Sequence, residues 1–136
     1  MKAIPPGAAC PCGRADPRNR PLAYGRCCGL WLEGGNLAPD AQTLMRSRYT
    51  AFTLEREEYL LRTWHRRYRP LSVPFDAGVR WLGLEVRSHV VHAACQAEVE
   101  FVARQRLPGA AAVRLHERSR FVREDGCWWY LDGDLL

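Results

Sequence analysis

The sequence lacks the features that identify membrane and secreted proteins. No stretch of its 136 residues approaches the roughly 18 consecutive apolar residues that a membrane-spanning helix needs. The opening segment, Met1–Cys10, carries one positive charge but no apolar core of a secretory signal. We therefore expect a bacterial-type cytoplasmic protein with no membrane association.

Motifs for common chemistries are also missing. The chain has no Gly-rich phosphate loop, no nucleophile elbow and no paired-carboxylate signature. Lysine is nearly absent, because 19 of the 20 basic residues are Arg. The formal net charge of +5 is small and is spread along the chain, so a nucleic-acid partner is not expected.

Cysteine is present in a pattern that indicates a metal site. Two close pairs lie fifteen residues apart in the N-terminal segment: Cys10 with Cys12, and Cys27 with Cys28. Disulfides are disfavoured in a reducing compartment, and two close thiol pairs flanking a short loop are typical of a tetrahedral structural zinc site. We predict one structural Zn²⁺ held by these four residues. Cys95 and Cys127 lie among strand-forming residues, and we predict that both are buried in the core.

The segments around the two pairs carry a resemblance. Cys10–Gly13 followed by Tyr24–Gly29 resembles the SEC-C motif, named for the zinc-binding tail of the SecA translocase. The loop between the pairs is longer here than in the usual motif. By loop-closure entropy the extra length costs only about 0.5 kcal/mol, so it changes the loop shape more than the affinity for metal.

The resemblance extends over nearly the whole chain, through the segments Leu44–Tyr49, Tyr59–His65, Trp81–Leu84, His116–Ser119 and Trp128–Tyr130. The sequence is similar to the bacterial YchJ-like family, in which a SEC-C motif precedes a domain with an NTF2-like fold. The resemblance implies this architecture. It implies no activity, because none is established for that family.

The residue pattern predicts the same organisation. The turn-rich segment Gly34–Asp40 separates a zinc module with its linker, residues 1–38, from an α+β domain, residues 39–136. Apolar spacing predicts two helices, one from Ala41 and one around Tyr59–Trp64. Alternating patterns then predict four antiparallel strands under the helices: Arg80–Arg87, Ala94–Arg106, Ala112–Arg123 and Cys127–Leu131.

Alternation in the third strand sends two polar residues toward the helices. Glu117 and Ser119 share a face with Phe121, and a two-residue turn at Asp125–Gly126 places Tyr130 opposite Phe121. The cavity of an NTF2-like domain would then be lined by five candidates for ligand binding or catalysis: Tyr49, His65, Glu117, Ser119 and Trp128. Glu117 is the candidate general acid or base.

Purely structural roles remain open as alternatives for these residues. In one alternative Glu117 pairs with Arg46, Arg48 or His65 in a buried network, and in another His65 caps its helix. A bulge in the third strand would turn His116 inward instead.

Three classes of function are compatible with this pattern, of which an RNA-associated protein is the one that the small net charge supports least. The first is an interaction or adaptor protein that binds a protein partner through the zinc module, with Arg14, Arg18, Arg20 and Arg26 on its surface. The second is a small-molecule binder or enzyme that uses the cavity.

The outer face of the sheet is expected to carry apolar side chains: Trp81, Val102, Val122, Trp129 and Leu131. Such a patch is covered either by a second copy in a homodimer or by the zinc module through Leu30–Leu32.

Overall fold

The computed structural model describes residues 2–136 as a small cysteine-rich module followed by helices packed on one antiparallel sheet. After a 3₁₀ turn at Tyr24–Arg26, the helices are α1 (Gly29–Leu32), α2 (Ala41–Thr53) and α3 (Glu57–Arg62). The strands are β1 (Arg80–Ala93), β2 (Gln96–Arg106), β3 (Val113–Glu124) and β4 (Cys127–Leu135), in the order β1-β2-β3-β4. The predicted α+β architecture is confirmed. Among the described residues, no helix has the length and apolar character needed to cross a membrane.

Helix α2 is the central element of the core. Its first turn is capped by Asp40, whose side chain accepts a hydrogen bond of 2.7 Å from the Thr43 amide. The helix then buries residues on several sides, including Leu44 at 2% exposure and Ala51 at 0%. A helix buried this way has neighbours on more than one face: the cysteine module on one and the sheet on the other.

The register of the last hairpin follows the prediction. Asp125 and Gly126 both have positive φ, 54° and 76°, as a two-residue type I′ turn requires. Phe121 pairs with Tyr130, and Glu100 pairs with Arg118 on the outer face, where their side chains form an ion pair of 3.1 Å. His116 also stays on the outer face, with its Nε2 2.8 Å from the Glu100 carboxylate, so no bulge turns it inward.

The first strand corrects two expectations. It continues to Ala93, beyond the predicted end at Arg87, and its pairing with β2 shifts register three times. One of these shifts lies between Trp81 and Gly83, and it places Trp81 on the inner face, 5.6 Å from the Tyr49 ring between centroids. Trp81 was predicted to point outward. A bulge of one residue reverses the face of every side chain beyond it, which alternation alone does not reveal.

The two isolated cysteines were placed wrongly. Cys95 lies in the turn between β1 and β2 and is exposed, and Cys127, at the start of β4, is half-buried. Both positions are set by the hairpins, because the residues that reverse the chain stay at the ends of the sheet and outside the core.

The cysteine module contacts the rest of the domain, and its Trp31 lies in one groove with Trp129 of β4. It docks on α2, where the Arg14 guanidinium donates hydrogen bonds of 3.2 Å to both Thr43 and Gln42. Arg46 on α2 donates in return to the Cys12 carbonyl at 3.0 Å. Arg14, expected on a free basic surface, therefore belongs to this contact.

Charged side chains occupy much of the outer face. Val102 is 3% exposed there, and Arg118 and Arg120 form ion pairs with acidic residues of β2 and β4. Trp81 lies on the inner side, so one of the five apolar side chains expected on this face is absent from it. Self-association stays a prediction.

Candidate functional site

Four thiols come together at the N-terminal module. The Sγ atoms of Cys10, Cys12, Cys27 and Cys28 all lie within 4.8 Å of one another, and those of Cys12 and Cys27 are 3.6 Å apart. Four ligands about 2.3 Å from one ion would be about 3.8 Å from each other at ideal tetrahedral geometry. The spacing therefore fits a single metal ion.

Local backbone structure brings the two pairs together. The first pair lies in a tight turn, in which the Gly13 amide donates to the Cys10 carbonyl at 3.1 Å and Gly13 has φ +74°. The second pair immediately precedes α1. Two short antiparallel bridges, Ala9 with Ala23 and Ala15 with Pro21, fold the loop between the pairs as a hairpin and keep its ends close.

The chemistry of the donor set also fits a metal. All four cysteines are at most 6% exposed. Hydrogen bonds from the other thiols, that of Cys12 first, hold the pKa of Cys10 well below its ordinary value, whereas those to Cys10 and Cys12 raise the pKa of Cys28. Because adjacent thiolates repel each other, four ionised cysteines this close together need a cation to offset their repulsion. These four cysteines could hold a metal ion.

A second site lies between α2 and the inner face of the sheet. It is an open cavity of about 340 Å³ with a mostly aromatic and aliphatic lining. The walls are formed by Met45, Tyr49, Phe52, Trp64, Trp81, Phe101, Ala103, Leu115, Phe121 and Tyr130, and the polar lining residues are Arg48, Gln105, Glu117 and Ser119. This volume is at the lower end of the range for small-molecule sites.

Arg48 is the charged group buried most deeply in this wall. It is 6% exposed, and its guanidinium lies 4.3 Å from the centre of the Tyr130 ring and 5.1 Å from that of Trp64. Its Nη1 donates to the Leu60 carbonyl at 2.8 Å and to the Thr63 hydroxyl at 2.7 Å. Burial lowers the pKa of Arg48 to about 10, still high enough to keep the group charged at neutral pH.

Glu117 and Ser119 point inward, as predicted. The Ser119 hydroxyl donates to Glu117 Oε1 at 2.9 Å, and the Tyr130 hydroxyl donates to the same oxygen at 3.4 Å. On β4, Gly133 leaves room for this carboxylate, because a Cβ there would overlap it. Burial, followed by the Glu117 charge, raises the pKa of Tyr130, so the phenol stays protonated and remains a donor.

The structure brings together three of the five cavity candidates. Tyr49, Glu117 and Ser119 line the cavity, and burial raises the pKa of Tyr49 to about 12. His65 and Trp128 do not line it. The His65 ring instead contacts Glu124 at 2.7 Å, while Trp128 lies with Trp31 in a separate groove under the linker.

The three residues predicted as partners of Glu117 form hydrogen bonds with other groups. His65 contacts Glu124, Arg46 donates to the module, and Arg48 donates to backbone and hydroxyl oxygens of α3 and its end. Arg48 is a cavity residue that the sequence predicts only as a partner of Glu117. A signal was present, because Met45, Arg48, Tyr49 and Phe52 follow the spacing of one helical face.

Comparisons with known proteins agree with this architecture. Residues 40–133 match the family described as YchJ, middle NTF2-like domain. A UPF0225 protein of Polaromonas sp. (strain JS666) is 61% identical over 97% of this chain and 96% of its own length. A UPF0225 protein of Methylibium petroleiphilum is 57% identical, over 93% of this chain and 88% of its own length.

Two solved structures have the same fold. The solution structure of a SEC-C motif containing protein from Rhodopseudomonas palustris superposes with a TM-score of 0.79 at 30% identity, covering 95% of this chain and 99% of that one. The crystal structure of a SEC-C motif containing protein from Psychrobacter arcticus gives 0.75 at 31% identity, covering 91% and 80%. Together with the cysteine cluster, these matches show that the chain belongs to the YchJ-like UPF0225 family of SEC-C motif proteins.

Proposed function

We propose that this protein binds a small molecule in the cavity between α2 and the sheet, and that a structural zinc ion organises its N-terminal module. The observation that carries the proposal is the cavity itself. It is open, its walls are apolar and aromatic, and a few polar groups converge in it, which is the usual composition of a small-molecule site.

Zinc is the metal that the thiol set favours. Four soft sulfur ligands with no free coordination position suit a structural Zn²⁺, which supplies folding energy rather than catalysis. Metal analysis of the purified protein is expected to find about one equivalent of zinc. The double substitution Cys27→Ser with Cys28→Ser removes half of the ligands and is expected to abolish zinc binding. Unchanged zinc content in that variant would show that the ion, if any, lies elsewhere.

The cavity is tested by filling it. A library of compounds with one or two aromatic rings is screened by ligand-observed NMR against the wild-type protein. Hits are then measured with Ala103→Phe, which places a ring in the cavity, and with Arg104→Phe, which introduces the same ring at the neighbouring outward-facing position. Binding is expected to be lost in the first variant and kept in the second. Equal binding to both folded variants would contradict a ligand site in the cavity.

A role as an adaptor remains the second candidate. The observation in its favour is that part of the module's basic surface is free, since Arg18 and Arg26 are exposed. Arg14 is engaged with α2 and Arg20 with Asp16, however, so the basic surface is smaller than the sequence pattern indicates. The cavity is therefore the better supported of the two candidate sites.

A further inference from the structure

The Arg48 guanidinium has donors that the protein does not use. Both of its hydrogen bonds are made by Nη1, and among residues 2–136 no acceptor contacts Nε or Nη2. No carboxylate of these residues forms an ion pair with Arg48 either. The charge of Glu117 raises the pKa of Arg48, but the two groups form no salt bridge. The Nε and Nη2 nitrogens are not sealed from solvent, because His89 Nε2 is the one buried side-chain nitrogen or oxygen of residues 2–136 that has no partner. An anion that enters the cavity can therefore reach them and pair with the guanidinium.

The surroundings of Arg48 define what such an anion would look like. The guanidinium lies beside both the Trp64 and the Tyr130 ring, whose centroids are 5.1 Å apart, and most of the remaining wall is apolar. A planar guanidinium presents paired donors that match a carboxylate in a bidentate arrangement. The apolar wall would at the same time accept a hydrophobic body, and the aromatic rings favour a flat one.

We propose that the ligand is a small organic acid with a flat apolar body, whose carboxylate pairs with Arg48. This inference rests on the proposed function, because it names the class of molecule that the cavity binds. Glu117, on the neighbouring wall, disfavours a second negative charge on the ligand and can accept a hydrogen bond from a donor on its far side. The acid is therefore a monoanion.

The test compares an acid with its uncharged isostere. Isothermal titration calorimetry at pH 7.5 measures the wild-type protein with 2-naphthoic acid and with 2-naphthamide, which differ in the carboxylate alone. We expect the acid to bind at least about tenfold more tightly, the effect of one charge-assisted hydrogen bond. Equal affinity, or a preference for the amide, would overturn the assignment to acids while leaving a small-molecule site in place. If neither compound binds, both the inference and the proposed function are contradicted.

Variants locate the preference on one residue. Arg48→Met is expected to remove the tenfold preference for the acid, whereas Arg104→Met, the same change on the exposed outer face, keeps it. Glu117→Gln is expected to increase it, since this change removes a negative charge that opposes the acid. A preference for the acid that persists in a folded Arg48→Met protein would overturn the proposal. If that variant does not fold, the comparison of acid with amide on the wild-type protein still decides the question.

Discussion

Gly133 lies against the Glu117 carboxylate, and an alanine at this position tests whether that carboxylate is held where the structure places it. A Cβ at Gly133 overlaps the Glu117 carboxyl group, so the side chain has to swing away from β4 and into the cavity. The movement breaks the hydrogen bonds that Glu117 accepts from Ser119 at 2.9 Å and from Tyr130 at 3.4 Å. Ser119 is 2% exposed, so its hydroxyl has little access to replacement water.

The expected magnitude follows from two opposing effects. Loss of one hydrogen bond of ordinary length and one long hydrogen bond to a charged acceptor costs about 2–3 kcal/mol. Gly133 does not have a positive φ, so alanine also lowers the entropy of the unfolded chain and returns about 0.5–1 kcal/mol. The net change in Gly133→Ala is a loss of about 1–2 kcal/mol in the free energy of unfolding.

The decisive comparison is made in a second background. In Glu117→Ala the overlapping carboxylate is gone, so Gly133→Ala is expected to stabilise that protein by about 0.5–1 kcal/mol. The sign of the effect reverses between the two backgrounds, which urea denaturation of the four proteins measures as a coupling energy. If Gly133→Ala changes stability by the same amount in both backgrounds, the carboxylate does not lie against Gly133 and the geometry of the cavity wall is wrong.

Three further outcomes are expected. Chelation of the metal lowers the melting temperature but leaves the β-sheet signal in circular dichroism, because the sheet and its helices retain most of the core; loss of the entire spectrum in one step at 25 °C would contradict this. A thiol reagent modifies Cys95 at once and Cys127 more slowly, as mass spectrometry of labelled peptides would show; protection of Cys95 would place it elsewhere. Tyr59→Phe removes a hydroxyl 2.7 Å from Ser47 Oγ and costs about 1 kcal/mol in urea denaturation; an unchanged midpoint would rule that bond out as a stabilising contact.

Local rules predicted the parts of the fold that depend on local sequence. The Asp125–Gly126 turn determines its own geometry, and it therefore determined the register that brings Phe121 opposite Tyr130. The cysteine cluster followed from spacing alone, since four thiols in two pairs have few other arrangements. Glu117 and Ser119 were placed on the inner face by alternation along an uninterrupted pairing with β2.

Interruptions of the alternating strand pattern account for most of the features that were not predicted. The bulge after Trp81 turns that side chain inward. The pairing of β3 with β4 shifts register between Arg120 and Phe121, and β4 continues to Leu135, past its predicted end at Leu131. Trp128 does point toward the helices, but the linker and Trp31 enclose it in a different groove. Which cavity an inward residue joins depends on contacts between distant segments, and periodicity contains no information about these.

Helix α2 is common to the thiol cluster and the cavity. One face receives the module, through Arg46 bonded to the Cys12 carbonyl and Thr50 beside the Cys10 sulfur at 3.9 Å, while Arg48 and Tyr49 project into the cavity. Thermodynamic linkage is reciprocal: any factor by which metal changes ligand affinity is the factor by which ligand changes metal affinity. Under the proposed function, affinities of cavity variants are therefore to be compared between preparations with the same metal content.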